Sequence, residues 1–246
     1  MTPKQRKAKN AHERERRRLV RLHRFEAAAR ARGFRLIGGV DEAGRGPLAG
    51  PVVAACVVAY EPLMLRGLND SKVVSPPRRR ELALEIMERA AGYGIGLASV
   101  AEIDRLNIYW ASVLAMERAI AALACTPEYL YTDAVRIRSF PGPQEPLIKG
   151  DARCAVISAA SILAKVHRDE LLEQLHREDP RYGFAGHKGY STPEHIAALK
   201  EHGPSIHHRS GFVRVREAQL ELLFAAENDA EAADEFFEPE PEGTSG

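Results

Sequence analysis

Cysteine is too scarce here for a disulfide framework: Cys56, Cys125 and Cys154 are the only three, far apart and set among apolar residues. That pattern suits buried free thiols in a reducing compartment and provides no zinc-ligand spacing. No apolar run approaches the roughly 20 residues of a membrane-spanning helix. The basic start also lacks the apolar segment of a secretory leader. Composition therefore predicts a soluble, cytoplasmic protein with no membrane partner. Missing too are a Walker A loop, a Gly-x-Ser-x-Gly elbow and a His-x-x-x-His pair, which argues against a P-loop nucleotidase, a serine hydrolase and a zinc hydrolase. What is present, 246 residues with 45% hydrophobic content, suffices for one good-sized core with appendages.

The net charge of +1 conceals a strong asymmetry. Residues 1–35 carry thirteen Lys or Arg against Glu13, Glu15 and Glu26, whereas from Glu227 onward there are eight acidic residues and no basic one. A basic arm attracts phosphate backbones or acidic surfaces without reading sequence. Residues 1–12 are expected to be disordered, and 13–31 to form a helix with Leu19, Leu22, Phe25 and Ala29 as a stripe that can dock on the body. The acidic end, from 228, is expected to be disordered.

Between these ends the hydrophobic pattern alternates strands and helices. Apolar runs at 36–40 and 51–59 predict two central strands, paired antiparallel, and 93–99 a third. Helices are expected over 75–91, 108–124 and 156–176, the second with Trp110 in the core or lining a groove. Capping boxes at Ser99 to Glu102 and at Ser191 to Glu194 predict two more helix starts. A last helix is expected over 214–227.

Three of the apolar runs lead into acid. The first ends in Asp41-Glu42, Tyr129-Leu-Tyr-Thr runs into Asp133, and Leu147-Ile-Lys-Gly runs into Asp151. Four carboxylates at one end of a sheet cannot all stay ionised without cations, so oxygen-ligated Mg²⁺ or Mn²⁺ is the natural counter-charge. Two such ions would activate water for phosphoryl transfer. Beside the first pair, Gly44-Arg45-Gly46 leaves backbone amides uncovered for close approach by a phosphate-bearing ligand.

The segments Gly39-Val-Asp-Glu-Ala-Gly-Arg-Gly-Pro, Asn69-Asp-Ser-Lys72, Tyr131-Thr-Asp133, Lys149-Gly-Asp151, Ile157 to Asp169 and Tyr182 to Thr192, in this order, resemble bacterial ribonuclease HII over about residues 36–220. The resemblance implies an α/β ribonuclease H-like fold, a central mixed sheet flanked by helices, with a C-terminal helical region. It divides the chain into a basic extension (1–35), a catalytic domain (36–200), a C-terminal turn and helix packed on it (201–227) and the acidic tail (228–246). It implies that Asp41, Glu42, Asp133 and Asp151 bind two divalent ions, Mg²⁺ or Mn²⁺. Gly44, Arg45 and Gly46 would sense a ribose 2′-hydroxyl with support from Tyr190, and Lys72, Lys165 and Arg168 would position phosphate. The implied substrates are RNA/DNA hybrids and duplex DNA containing ribonucleotides, cut on the 5′ side of the ribonucleotide to leave 3′-hydroxyl and 5′-phosphate ends. A monomer is expected, with recruitment by replication or repair proteins. The chain departs from the family pattern at Val73-Val74, at Ala134, where glycine is commoner, and in the turn Gly203 to Phe212.

Overall fold

A computed structural model describes residues 2–235, and side chains as far as Phe224. Its first helix, α1 (Pro3–Leu22), begins where disorder was expected. The reason is local: Thr2 and Gln5 form a reciprocal capping box, with Pro3 in the first turn, where a missing N–H costs nothing. With α2 (Arg24–Ala31) it docks on the body as the apolar stripe predicted, burying Leu19, Leu22 and Ala29. Polar contacts pin it as well. Arg18 donates to the Leu68 carbonyl at 2.8 Å, the Gly67 amide to Glu15 at 2.8 Å, and the Val156 amide to the buried carboxylate of Glu26 at 2.8 Å.

The sheet is built on β1 (Ile37–Ala43) and β2 (Val52–Ala59), which pair antiparallel as expected. All eight residues of β2 are buried, the consequence of an apolar run covered on both faces. After α3 (Pro76–Arg89), β3 (Gly92–Ala98) adds antiparallel to β2, and α4 (Val100–Leu106) and α5 (Ile108–Ala121) follow. The chain then crosses to the far side of β1, where β4 (Tyr129–Asp133) and β5 (Gln144–Leu147) add in parallel, giving the order β3-β2-β1-β4-β5.

Alternation along β2 divides the core. Ala55 and Val57 face α6 (Ala155–Glu178), while Ala54 and Cys56 face α5. Helix α6 crosses β1 so closely that a side-chain carbon at Gly39 would lie 2.3 Å from the Val156 backbone. Glycine at 39 therefore sets how near the small-residue start of α6 comes to the end of β1. On α5 the buried face is Ala111, Ser112, Val113, Ala115, Met116 and Ala119, while Trp110 is 48% exposed, edge-on to Tyr109, rather than in the core. Small residues bring α5 close to β3, where a side-chain carbon at Gly96 would lie 2.2 Å from the Ala115 carbonyl oxygen.

Beyond α6 come α7 (Phe184–His187), α8 (Pro193–His202) and α9 (Val213–Glu235). The N-cap of α8 is Thr192, with Pro193 in the first turn, not the Ser191 of the expected capping box. Helix α9 continues to Glu235, past the point where the acidic tail was expected to begin. The rest of that expected tail, 236–246, lies outside the described residues. The three cysteines are free; Cys56 and Cys154 are buried as expected, whereas Cys125 is half-buried. Among the described residues, no helix is long and apolar enough to cross a membrane.

Candidate active site

The parallel register of β1 and β4 pairs Val40 with Thr132, so Asp41 and Asp133 follow side by side at one end of the sheet. Beyond β5 the chain turns back through Lys149, in the left-handed region at φ 56°, and the Gly150 amide donates to Asp133 Oδ1 at 2.7 Å. Asp151 was expected at a strand end. It lies instead on a 3-10 turn, Gly150–Ala152, because β5 stops at Leu147. Ser158 of α6 donates to the Asp151 carbonyl at 2.5 Å and holds that turn against the helix start. Ala134, beside Asp133, has φ 57°, a conformation glycine adopts without the cost of a Cβ.

Electrostatics at this sheet end are strained. Burial, then the charges of Glu42 and Asp133, push the Asp41 carboxyl well above the usual carboxylate range, against a hydrogen bond from Ser161. Glu42 is raised by burial, with Arg45 opposing and Asp133 adding. Asp133 is raised by burial, opposed by the Gly150 amide and assisted by Asp151. Glu42 Oε2 is buried with no hydrogen-bond partner. Like charges in low dielectric with an unmatched acceptor call for a cation. Among the described residues, no three His, Cys, Asp or Glu side chains are placed together as a finished ligand set. The cation nearest Asp151 is Lys72, with Nζ 3.1 Å from Oδ2 and 3.8 Å from Asp70. Burial works against the Lys72 charge, but Asp151, Asp70 and Asp41 hold its pKa above the ordinary lysine value. The donor set, carboxylate oxygens throughout, fits Mg²⁺ or Mn²⁺.

The Gly44-Arg45-Gly46 turn stands next to these acids. Gly44 has φ +99°, and a side-chain carbon there would lie 2.1 Å from Arg168 Nε. Arg45 is exposed and reaches back to Glu42 at 3.3 Å. Gly46 is exposed beside Tyr190, whose ring edge would be 3.9 Å from a carbon at that position. Tyr190 is 44% exposed, with Lys165 Nζ 5.8 Å from its ring centre. The turn and Tyr190 thus form one continuous surface.

Two of the expected phosphate-positioning groups are occupied within the protein. Lys165 is mostly buried and bonded to Asp169 at 2.5 Å. Its pKa is lowered by burial, Asp169 opposing and Arg168 and Arg79 adding. Arg168 is fully buried and donates to the carbonyls of Pro51, Lys188 and Ala49. The expectation was that Arg168 meets phosphate; in the structure its fork faces backbone carbonyls under the turn. Lys72 alone of the three is open to solvent.

Other residues that build the site were not singled out in the sequence. Ser161 bonds Ser71 at 3.0 Å and reaches Asp41, tying the Asn69-Asp-Ser-Lys72 loop to α6. Arg209, fully buried, donates to the carbonyls of Gly44 at 2.7 Å, Arg45 at 3.0 Å and Gly50 at 2.7 Å. Its only hint was its place in the turn Gly203 to Phe212.

A mixed five-stranded sheet flanked by helices, with acidic residues at the ends of adjacent strands, is the architecture of the ribonuclease H-like nucleases. The crystal structure of ribonuclease H2 from Pyrococcus horikoshii superposes with a TM-score of 0.64 at 27% identity, covering 75% of this chain and 97% of that one. A PCNA:RNase HII complex from Archaeoglobus fulgidus gives 0.56 at 27% identity, covering 72% and 95%. The ribonuclease HII profile matches residues 38–216. Ribonuclease HII of Geobacillus thermodenitrificans is 50% identical over 203 residues, 82% of this chain and 78% of that protein. The chain belongs to the ribonuclease HII family, and with it to the ribonuclease H endonucleases.

Proposed function

We propose that this enzyme hydrolyses the phosphodiester on the 5′ side of a ribonucleotide embedded in duplex DNA, and RNA strands of RNA/DNA hybrids, leaving 3′-hydroxyl and 5′-phosphate ends. The observation that carries this reading is the contact between two surfaces: buried carboxylates with raised pKa values, and an exposed glycine-flanked turn against Tyr190. Asp41, Glu42, Asp133 and Asp151 are the residues that would hold two divalent ions, Mg²⁺ or Mn²⁺. Bound there, such ions supply Lewis-acid activation of water and neutralise charge on the leaving oxygen.

The chain's own groups do the selecting and orienting. Backbone groups of Gly44 to Gly46 approach the ribose where no side chain intervenes, and a 2′-hydroxyl, donor and acceptor at once, distinguishes it from deoxyribose. Tyr190 packs against the sugar at the same junction. Lys72 pairs with Asp151 in the free protein and turns to a backbone phosphate when substrate arrives. The arginines along α1 and α2 add contacts to the duplex backbone that do not depend on sequence. In this reading the enzyme is a cytoplasmic monomer. The likeness to an archaeal ribonuclease HII captured with PCNA supports recruitment by a replication protein.

The test maps the cut on a duplex with one ribonucleotide, labelled at either end. A 3′-hydroxyl upstream and a 5′-phosphate on the ribonucleotide are expected. A 2′,3′-cyclic phosphate would contradict the proposal, since it would make the ribose hydroxyl the nucleophile in place of water.

A further inference from the structure

The turn that leads into α9 reaches both halves of the proposed ribose-reading surface through two consecutive residues. Arg209 donates Nη1 to the Arg45 carbonyl at 3.0 Å and Nη2 to the Gly44 carbonyl at 2.7 Å. Its Nε and Nη2 also hold the Gly50 carbonyl, and its backbone amide donates to Leu48 at 2.9 Å. The backbone of the Gly44–Gly46 turn is thereby fixed from beneath by a planar fork, a geometry lysine cannot reproduce.

His208 points the other way, and its bonding has a direction. The Ser205 amide donates to His208 Nδ1 at 3.0 Å, so that nitrogen carries a lone pair and Nε2 carries the proton. His208 Nε2 is 3.0 Å from His195 Nε2, which must accept. His195 then bears its proton on Nδ1 and donates it to the Tyr190 carbonyl at 2.9 Å. Both rings are buried, and burial lowers His195 to about 4 and His208 to about 3. They are neutral at working pH, so each needs one donor and one acceptor, and each has them. His187 stacks on His195 at 4.4 Å and 14°, keeping the ring in plane.

We infer that His208 and Arg209 are positioning residues for ribose recognition, and that this dipeptide, with His195 as intermediary, fixes the spacing between the Gly44–Gly46 turn and Tyr190. The inference rests on reading those two elements as the ribose sensor. None of the three residues touches substrate. Loosening them widens a gap that a single hydroxyl must fill, and small misplacements of that kind cost rate and affinity steeply. The Gly150 amide holds Asp133 independently of this support, and Arg45 to Glu42 at 3.3 Å links the turn to the carboxylates, so the larger loss falls on discrimination and the smaller on the hydrolytic step.

The experiment compares KM for a duplex with one ribonucleotide with Ki for the all-DNA duplex of the same sequence, in wild type, His195→Leu, His195→Asn and Arg209→Lys. The Ki/KM ratio reports what the 2′-hydroxyl contributes to binding. His195→Leu and Arg209→Lys should lower it by roughly tenfold with kcat changed far less. His195→Asn, which keeps a donor for the Tyr190 carbonyl, should restore most of it. A wild-type ratio in His195→Leu and Arg209→Lys would overturn the inference. A wild-type enzyme with no preference would overturn the ribose reading and this inference with it. Imidazole ¹⁵N spectra of the wild-type chain give a check that needs no variant: His195 protonated on Nδ1 and His208 on Nε2 are expected, and the opposite tautomers would overturn it.

Discussion

Lys72 Nζ lies 3.1 Å from Asp151 Oδ2, so a lysine holds a position beside the carboxylates that a divalent ion would contest. Lys72→Met should tighten Mn²⁺ binding by the substrate-free enzyme while raising KM for duplex. Calorimetric titration checks the first and steady-state kinetics the second. Because the lysine is largely exposed, the pair itself contributes only about 0–1 kcal/mol to stability. Unchanged Mn²⁺ affinity would show that the ammonium does not compete.

Asp41 gives a prediction with a definite sign. Its folded-state pKa is raised by burial and by Glu42 and Asp133, so between the ordinary carboxylate range and that raised value the native state binds more protons than the unfolded chain. In chelator, stability should fall as pH rises through this window. Asp41→Asn should make the metal-free protein more stable at neutral pH, by about 1–3 kcal/mol, while abolishing cleavage. It should also remove most of the stabilisation that added Mg²⁺ confers on wild type. Thermal melts with and without Mg²⁺ read all of this, and a less stable metal-free Asp41→Asn would contradict it.

Gly44→Ala meets two obstacles at once, a φ of +99° and Arg168 Nε 2.1 Å from the new carbon. The loss should be about 1–3 kcal/mol of stability. Cleavage beside a single ribonucleotide should drop well beyond what that loss of folded protein explains. Activity and melting temperature, measured on the same preparation, separate the two effects.

The basic arm should be divisible. Residues 1–12 include Lys4, Arg6, Lys7 and Lys9, and among the described residues 2–12 every side chain is exposed. Removing them should weaken duplex binding and flatten its dependence on salt without changing the melting temperature. Removal through residue 31 also takes away Leu19, Leu22, Glu26 and Ala29 and should destabilise the fold. An unchanged salt slope after the shorter deletion would rule out phosphate contacts by that segment.

The central strands and Asp41, Glu42 and Asp133 were legible because a continuous apolar run ending in acid leaves few alternatives. Asp151 was expected at a strand end, but β5 stops at Leu147 and a left-handed Lys149 carries the chain to it. Arg168 was singled out by the resemblance as a phosphate-positioning group, and its burial could not be read from the sequence around it. Only the return of the 188–190 and 49–51 backbones over α6 makes it a buried ligand of carbonyls. Arg209 and His208 were visible only as members of the turn Gly203 to Phe212, since their partners lie more than a hundred residues away or across a turn whose path no periodicity specifies. The helix from Pro3 was missed because its composition is that of a disordered arm, and a two-residue capping box is a weak local signal.

The account stands most directly on one side-by-side rate measurement, with matched duplexes carrying one ribonucleotide, an RNA strand or deoxyribose throughout, each in Mg²⁺, Mn²⁺ and chelator. Cleavage of the first two in either metal, none of the all-DNA duplex and none in chelator is the predicted result. Cutting of the all-DNA duplex at a comparable rate, or cutting that survives chelator, would contradict it.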